Sequence, residues 1–229
     1  MNYFQNYSHI RNSIDDRARA AGRNPEDIRI VAVSKTFPPE SVQAAIDQGI
    51  RLFGENKVQE AKGKIAALSG DFRFHLVGHL QSNKARDAVR LFDLIHSIDK
   101  ASTAHRVGEE ATRINKTQKV LVQVNTSGED TKSGIDPAGA LELCREIPTI
   151  AGIELVGLMT IGPLEGDEKA VRASFALLRT LRDDIVKRLG IGLDELSMGM
   201  SGDYLAAVDE GATLVRIGSA IFGRRSYGE

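Results

Sequence analysis

Hydrophobic positions in this 229-residue chain fall into short runs separated by amphipathic stretches. Ile28–Ser34 is the first run: it alternates, is rich in β-branched residues, and stops at Thr36-Phe37-Pro38-Pro39. That pattern predicts a buried strand. Equivalent runs recur at Arg51–Gly54, Arg73–Val77, Leu94–Ser97, Val120–Val124, Leu155–Met159, Leu196–Met200 and Leu214–Ile217. Between them the apolar spacing changes to a helical one, as in Lys100–Asn115 and the long stretch Glu168–Leu189. A further helix is expected at the N-terminus, over about residues 2–21. Strands alternating with helices imply right-handed crossovers and a parallel sheet. Eight strands in this length imply one closed (β/α)8 barrel, with an open doubly wound sheet as the alternative. No low-complexity linker divides the chain, so residues 1–229 read as a single domain.

In such a barrel, chemistry belongs where strands end. Lys35 ends the first strand. Gly54-Glu55-Asn56 ends the second, Met159-Thr160 the sixth, Ser201-Gly202-Asp203 the seventh and Gly218-Ser219 the eighth. An amine beside apolar neighbours loses hydration, which favours its neutral, nucleophilic form and suits it to Schiff-base chemistry. A strand-capping lysine that reaches solvent is the plainer reading of Lys35. The paired Gly and Ser residues after strands seven and eight suit a phosphate, because glycine lets backbone N–H groups approach an anion. Turn-forming glycines are the plainer reading of one such pair, and two pairs at neighbouring strands bring the two readings level. Arg216 lies inside Leu214–Gly218, where a charge cannot stay unpaired. Its partner is either an acid such as Glu55 or Asp203, or a ligand. A pyridine nitrogen is one such ligand, and an arginine would keep that nitrogen unprotonated.

Other chemistry is thinner. His75 and His79 are four apart on a strand, about 13 Å, which does not suit a metal. His75 reads as a buried strand residue and His79 as lining the mouth. The single cysteine, Cys144, can form no internal disulfide and reads as a small buried hydrophobe. A net charge of −1 offers no field for nucleic acid or anionic membrane. The first residues carry no basic and apolar signal pattern, and no run reaches the roughly 18 apolar residues of a membrane span. A cytoplasmic protein is therefore expected.

These motifs resemble the pyridoxal phosphate homeostasis proteins. The resemblance is carried by Val31–Lys35, Phe53–Asn56, Val58–Glu60, His75–Lys84, Gly157–Thr160, Leu196–Asp203 and Val215–Gly223. It departs at Lys57, where many members have an aromatic. It implies a barrel similar to the N-terminal domain of alanine racemase, of fold type III, with pyridoxal 5′-phosphate on Lys35 as a Schiff base. It further implies Arg216 beside the ring nitrogen, with Ser201, Gly218 and Ser219 at the phosphate. The resemblance also implies Asn56 near the ring or its phenolic oxygen, and Met159 and Thr160, at the end of strand six, close to the cofactor. It implies a vitamin B6 protein that holds, buffers or delivers the cofactor without an established reaction, with apo-enzymes that use pyridoxal phosphate as recipients. A monomer is expected.

Two enzymes compete with that reading. A two-base racemase needs a second acid or base opposite the lysine. In alanine racemase that group is a tyrosine from a β-rich domain. Tyr3, Tyr7, Tyr204 and Tyr227 do not follow such a segment, and the chain stops at Glu229. A Schiff-base aldolase for phosphosugars commonly places its lysine on a late strand, and Lys35 ends the first. Lys132, in the glycine-bounded loop Gly128–Gly134 on the face of Lys35, reads either as a solvated loop lysine balanced by Glu129 and Asp130 or as a lid or transfer residue.

Overall fold

The computed structural model describes residues 2–129, 132–163 and 166–223. Eight parallel strands close in sequence order into a barrel. They are β1 (Arg29–Val33), β2 (Leu52–Glu55), β3 (Arg73–Leu76), β4 (Leu94–Ile98), β5 (Gln118–Gln123), β6 (Ile153–Met159), β7 (Glu195–Met200) and β8 (Leu214–Ile217). β8 pairs with β1, with Val31 opposite Arg216, which seals the barrel and excludes the open sheet. The helices are α1 (Tyr3–Ala20), α2 (Pro39–Asp47), α3 (Val58–Ile65), α4 (Ala85–Leu91), α5 (Ala101–Thr112), α6 (Ala140–Glu146), α7 (Glu168–Leu189), α8 (Tyr204–Asp209) and α9 (Ser219–Phe222). Strand positions agree with the apolar runs to within one or two residues. The short α9 has no counterpart among the expected elements.

Helix ends follow local chemistry. The Asp167 side chain accepts the Ala170 N–H and opens α7, and Gly190, at φ 65°, closes it in the left-handed conformation that glycine tolerates. α1 buries Ile10, Ile14 and Ala18 at four-residue spacing. It is tied to the end of the barrel by Asn6, which donates to the Ile221 carbonyl at 2.9 Å, and by the Arg17–Asp209 pair.

Strand side chains alternate between two compartments. Phe53, Phe74, Ile95, Val120, Val215 and Ile217 face outward into the main core beneath the helices. Val31, Val33, Val77, Leu94, Leu121, Met159 and Leu214 form a separate cluster. By strand alternation this cluster fills the barrel interior, which is packed rather than hollow. Cys144 is buried in the outer core, and burial pushes its thiol up to about 12, so it stays protonated as a small hydrophobe. Among the described residues no cluster of His, Cys, Asp and Glu could hold a metal ion, and no helix is long and apolar enough to cross a membrane.

Candidate cofactor cleft at the C-terminal mouth

Strand one ends at Val33, so Lys35 lies two residues beyond it, in a turn. Its backbone is held on both sides. Ser34 donates from Oγ to Glu55 Oε1 at 2.7 Å, and its carbonyl accepts from Lys64 Nζ at 2.8 Å. Lys64 also forms a buried ion pair with Glu55 and reaches Glu60 at 3.1 Å. Thr36 sits at φ 70°, unusual for a residue with a Cβ, and its N–H donates to Glu60 Oε1 at 2.5 Å. The knot Ser34–Glu55–Lys64–Glu60 thus fixes the turn that presents Lys35. Burial raises the Glu55 carboxyl above its usual range, and hydrogen bonds from Lys64 and Ser34 oppose that rise.

Lys35 opens onto a cleft of about 300 Å³. Asn56, Ser201, Gly202, Arg216, Gly218 and Ser219 share its wall with apolar Val33, Val77, Ile161 and Met200. Among the described residues, Lys35 and Arg216 are the titratable side chains on that wall. The N–H groups of Gly202, Gly218 and Ser219 have no hydrogen-bond partner among the described residues. Two loops therefore offer backbone donors to one space, which is what an anionic group requires. Asn56 takes its place because Gly78 lies against it. A Cβ on Gly78 would stand 2.3 Å from the Asn56 carbonyl oxygen.

Arg216 is buried, and neither Glu55 nor Asp203 is its ion-pair partner. Glu55 is committed to Lys64, and Asp203 Oδ1 accepts from the Met200 N–H at 2.5 Å. Instead the guanidinium donates to Ser197 Oγ at 2.7 Å and to the Thr160 carbonyl at 2.8 Å. Burial lowers it to about 10, so it remains charged at neutral pH. Ser197 passes the contact to His96, 2.9 Å away, and His96 to His75, at 3.0 Å. Both imidazoles are held neutral by burial: His75 is lowered to about 3, and His96 falls well below its usual range.

Lys35, Asn56, Ser201, Arg216, Gly218 and Ser219 are brought together as the strand ends suggest. Met159 and Thr160 are not on the cleft wall. Met159 packs in the barrel interior, and Thr160 acts one step back, its carbonyl holding Arg216 and its Oγ1 donating to the Val124 carbonyl at 2.8 Å. His79 faces a different hollow, 3.6 Å from Asp99. Lys132 is not a solvated lysine. It donates to Glu129 at 2.9 Å and to the Gly162 carbonyl at 2.7 Å, joining the loops after β5 and β6. Ser197, His96 and Lys64 carry no sequence signal of their own, because they sit inside apolar or helical runs; Glu55 is marked by its strand end, but its partner is Lys64 rather than Arg216.

The alanine racemase N-terminal domain matches residues 6–226, nearly the whole chain, and defines the class of protein. The pyridoxal phosphate homeostasis protein of Pseudomonas aeruginosa is 42% identical over 98% of this chain and 96% of its own. The human protein of that name is 40% identical over 94% of this chain and 85% of its own. Among solved structures, PipY of Synechococcus elongatus with PLP bound superposes with a TM-score of 0.82 at 38% identity, covering 92% of this chain and all of that one. An alanine racemase of Clostridium difficile shares the fold at 16% identity and a TM-score of 0.77, and this chain covers 57% of it. The chain belongs to the pyridoxal phosphate homeostasis protein family.

Proposed function

We propose that this protein binds pyridoxal 5′-phosphate and maintains its supply in the cytoplasm by holding it and passing it on, rather than by turning over a substrate. The observation that carries this reading is the pairing of Lys35 with Arg216 on one small cleft edged by unpartnered backbone donors. When bound, the cofactor supplies an aldehyde that a lysine can capture and a ring that can withdraw electrons. Lys35 is the residue that would hold it covalently. Ser201, Gly202, Gly218 and Ser219 would take its phosphate, and Asn56 would flank the ring. Arg216, always a donor, suits an unprotonated ring nitrogen, whereas a carboxylate would keep that nitrogen protonated and the ring a stronger electron sink.

The racemase alternative needs a second acid or base. Tyr3 is buried in the main core, Tyr7 lines the opposite mouth, and Tyr204 lines a separate hollow; Tyr227 lies outside the described residues. None of the three described tyrosines is on the cleft wall. Lys132, fastened across two loops, is proposed to act in release to apo-enzymes rather than in equilibrium binding. A monomer is sufficient for every residue named.

The test is direct. Purified protein should be yellow, and borohydride should fix a phosphopyridoxyl group on the peptide containing Lys35. A label found mainly on another lysine would reject the assignment.

A further inference from the structure

The opposite mouth of the barrel carries a second cleft, of about 890 Å³. It is bounded by the starts of the first three strands, where Arg29, Leu52 and Arg73 stand, and by α1. Five arginines line it against three carboxylates, and one of those, Asp15, is already paired with Arg11. Arg29 is shared with Glu195. Arg73 makes no ion pair or side-chain hydrogen bond among the described residues. Asp71 and Glu26 are exposed on the rim. The inner wall is His75, which is 5% exposed.

The hydrogen bonds behind that wall run in one direction. Arg216 can only donate, so Ser197 Oγ accepts from it. Ser197 is fully buried, and His96 Nδ1 is the acceptor within reach of its own hydrogen. The reverse arrangement would orphan that buried hydroxyl hydrogen, which is costly. His96 Nδ1 therefore accepts, and neutral His96 carries its proton on Nε2. That proton goes to His75 Nδ1. His75 in turn carries its proton on Nε2, which has no partner among the described residues and belongs to the wall of the lower cleft. A nine-tenths buried donor thus faces a cleft rich in arginine. Arg29 and Arg73 lie close enough to His75 for their charge to add to the effect of burial in disfavouring its protonation.

We propose that this mouth is a second ligand site, taking a phosphate-type oxyanion on His75 Nε2–H and the Arg29 and Arg73 guanidiniums, and that the column His75–His96–Ser197 links it to Arg216. An anion accepting from His75 makes its Nδ1 a better acceptor, and each bond in the chain strengthens the next. The site stands whether or not the upper cleft holds pyridoxal phosphate; only the consequence of the link for cofactor binding rests on that reading.

The test uses ¹⁵N-labelled full-length protein and follows the histidine and arginine side-chain signals. Inorganic phosphate and phenyl phosphate are titrated separately at constant ionic strength, with chloride as reference. A saturable shift of His75 Nε2 is expected, and the tighter of the two ligands tells whether the natural one is free or esterified phosphate. Arg73→Ala should weaken the His75 response about tenfold, the loss of one charge-assisted contact, while Arg73→Lys should weaken it less. Phosphate entering the upper cleft would not respond to either change. The Arg216 signals should move in step with His75, and Ser197→Ala should abolish that movement while leaving the His75 response. Absence of a saturable His75 shift, or one unchanged in a folded Arg73→Ala protein, overturns the site. Arg216 signals that in Ser197→Ala still follow phosphate with the His75 midpoint overturn the link.

Discussion

Mild acid should destabilise this protein through its two buried histidines. The perturbation is a change from pH 7 to pH 5. An unfolded histidine titrates near 6.5 and is about 97% protonated at pH 5. In the folded barrel, burial lowers His75 to about 3 and pushes His96 well below its usual range, so both stay neutral at pH 5. The unfolded state then binds more protons than the native one, so stability falls as the pH is lowered. The loss begins near pH 6.5, where the unfolded chain starts to charge, and continues down toward pH 3. Between pH 7 and pH 5 each group contributes about 2 kcal/mol, and the pair about 4 kcal/mol. That is a large share of the 5–15 kcal/mol typical of a folded domain.

Glu55 works in the opposite sense. Its raised pKa lets the folded state take up a proton first, which offsets part of the loss as the pH approaches the carboxylate range. Asp209, lowered by its bonds to Arg17 and Arg172, begins to lose its stabilisation only below its usual range of about 4. Urea unfolding at pH 7, 6 and 5 measures the effect. His75→Gln keeps an acceptor for His96 but removes one titration, so its pH-dependent loss should be about half that of the wild type. A stability at pH 5 within about 1 kcal/mol of that at pH 7, or an unchanged slope in His75→Gln, would refute the neutral-column assignment.

Three other outcomes are expected. Arg216→Met should change the absorbance of bound pyridoxal phosphate and weaken its retention by ten- to a hundredfold, the equivalent of about 1.5 to 3 kcal/mol for one charge-assisted bond; unchanged binding in a folded variant would contradict the role given to Arg216. Lys64→Met strands the Glu55 charge in the interior and should cost about 3–5 kcal/mol in urea unfolding, while a loss under about 1 kcal/mol would mean that the Lys64–Glu55 pair does not fasten the Lys35 turn. Lys132→Ala should keep the yellow colour but alter the rate at which an apo-enzyme becomes active; equal rates over a range of acceptor concentrations would leave Lys132 a structural tie between two loops.

The legible part of this molecule is the part where polarity interrupts an apolar run. Lys35, Asn56, Ser201 and Gly218-Ser219 mark strand ends, and the barrel gathers strand ends into one mouth. The column behind Arg216 was not legible. His96 lies in Leu94-Ile95-His96-Ser97-Ile98 and Ser197 in Leu196-Ser197-Met198, strands buried on both faces. A strand covered on both sides carries no sign of which side chains point inward. The lower mouth did leave a trace: Arg29, Arg51 and Arg73 each stand at the start of an apolar run, at a spacing of 22 residues. Three arginines entering three neighbouring parallel strands must meet at one end. The Lys64–Glu55 pair left none, because a helix lysine among Lys62, Gly63 and Lys64 reads as solvated.

How Arg216 is anchored explains why it can serve a ligand at all. A buried carboxylate beside it would neutralise the guanidinium and occupy its donors. Here the two bonds that hold it go to neutral acceptors, the Ser197 hydroxyl and the Thr160 carbonyl. They fix its direction without cancelling its charge, and Asp203 supplies only a longer-range attraction. The remaining N–H groups and the positive charge are left for the cleft, where burial amplifies any contact with an acceptor. The neutral histidines are part of the same arrangement. A protonated His96 would repel Arg216 and, with a proton on both nitrogens, could not accept from Ser197. Keeping His75 and His96 uncharged at a cost in acid stability is what allows one permanent cation to sit inside the barrel, aimed at the cleft that Lys35 shares.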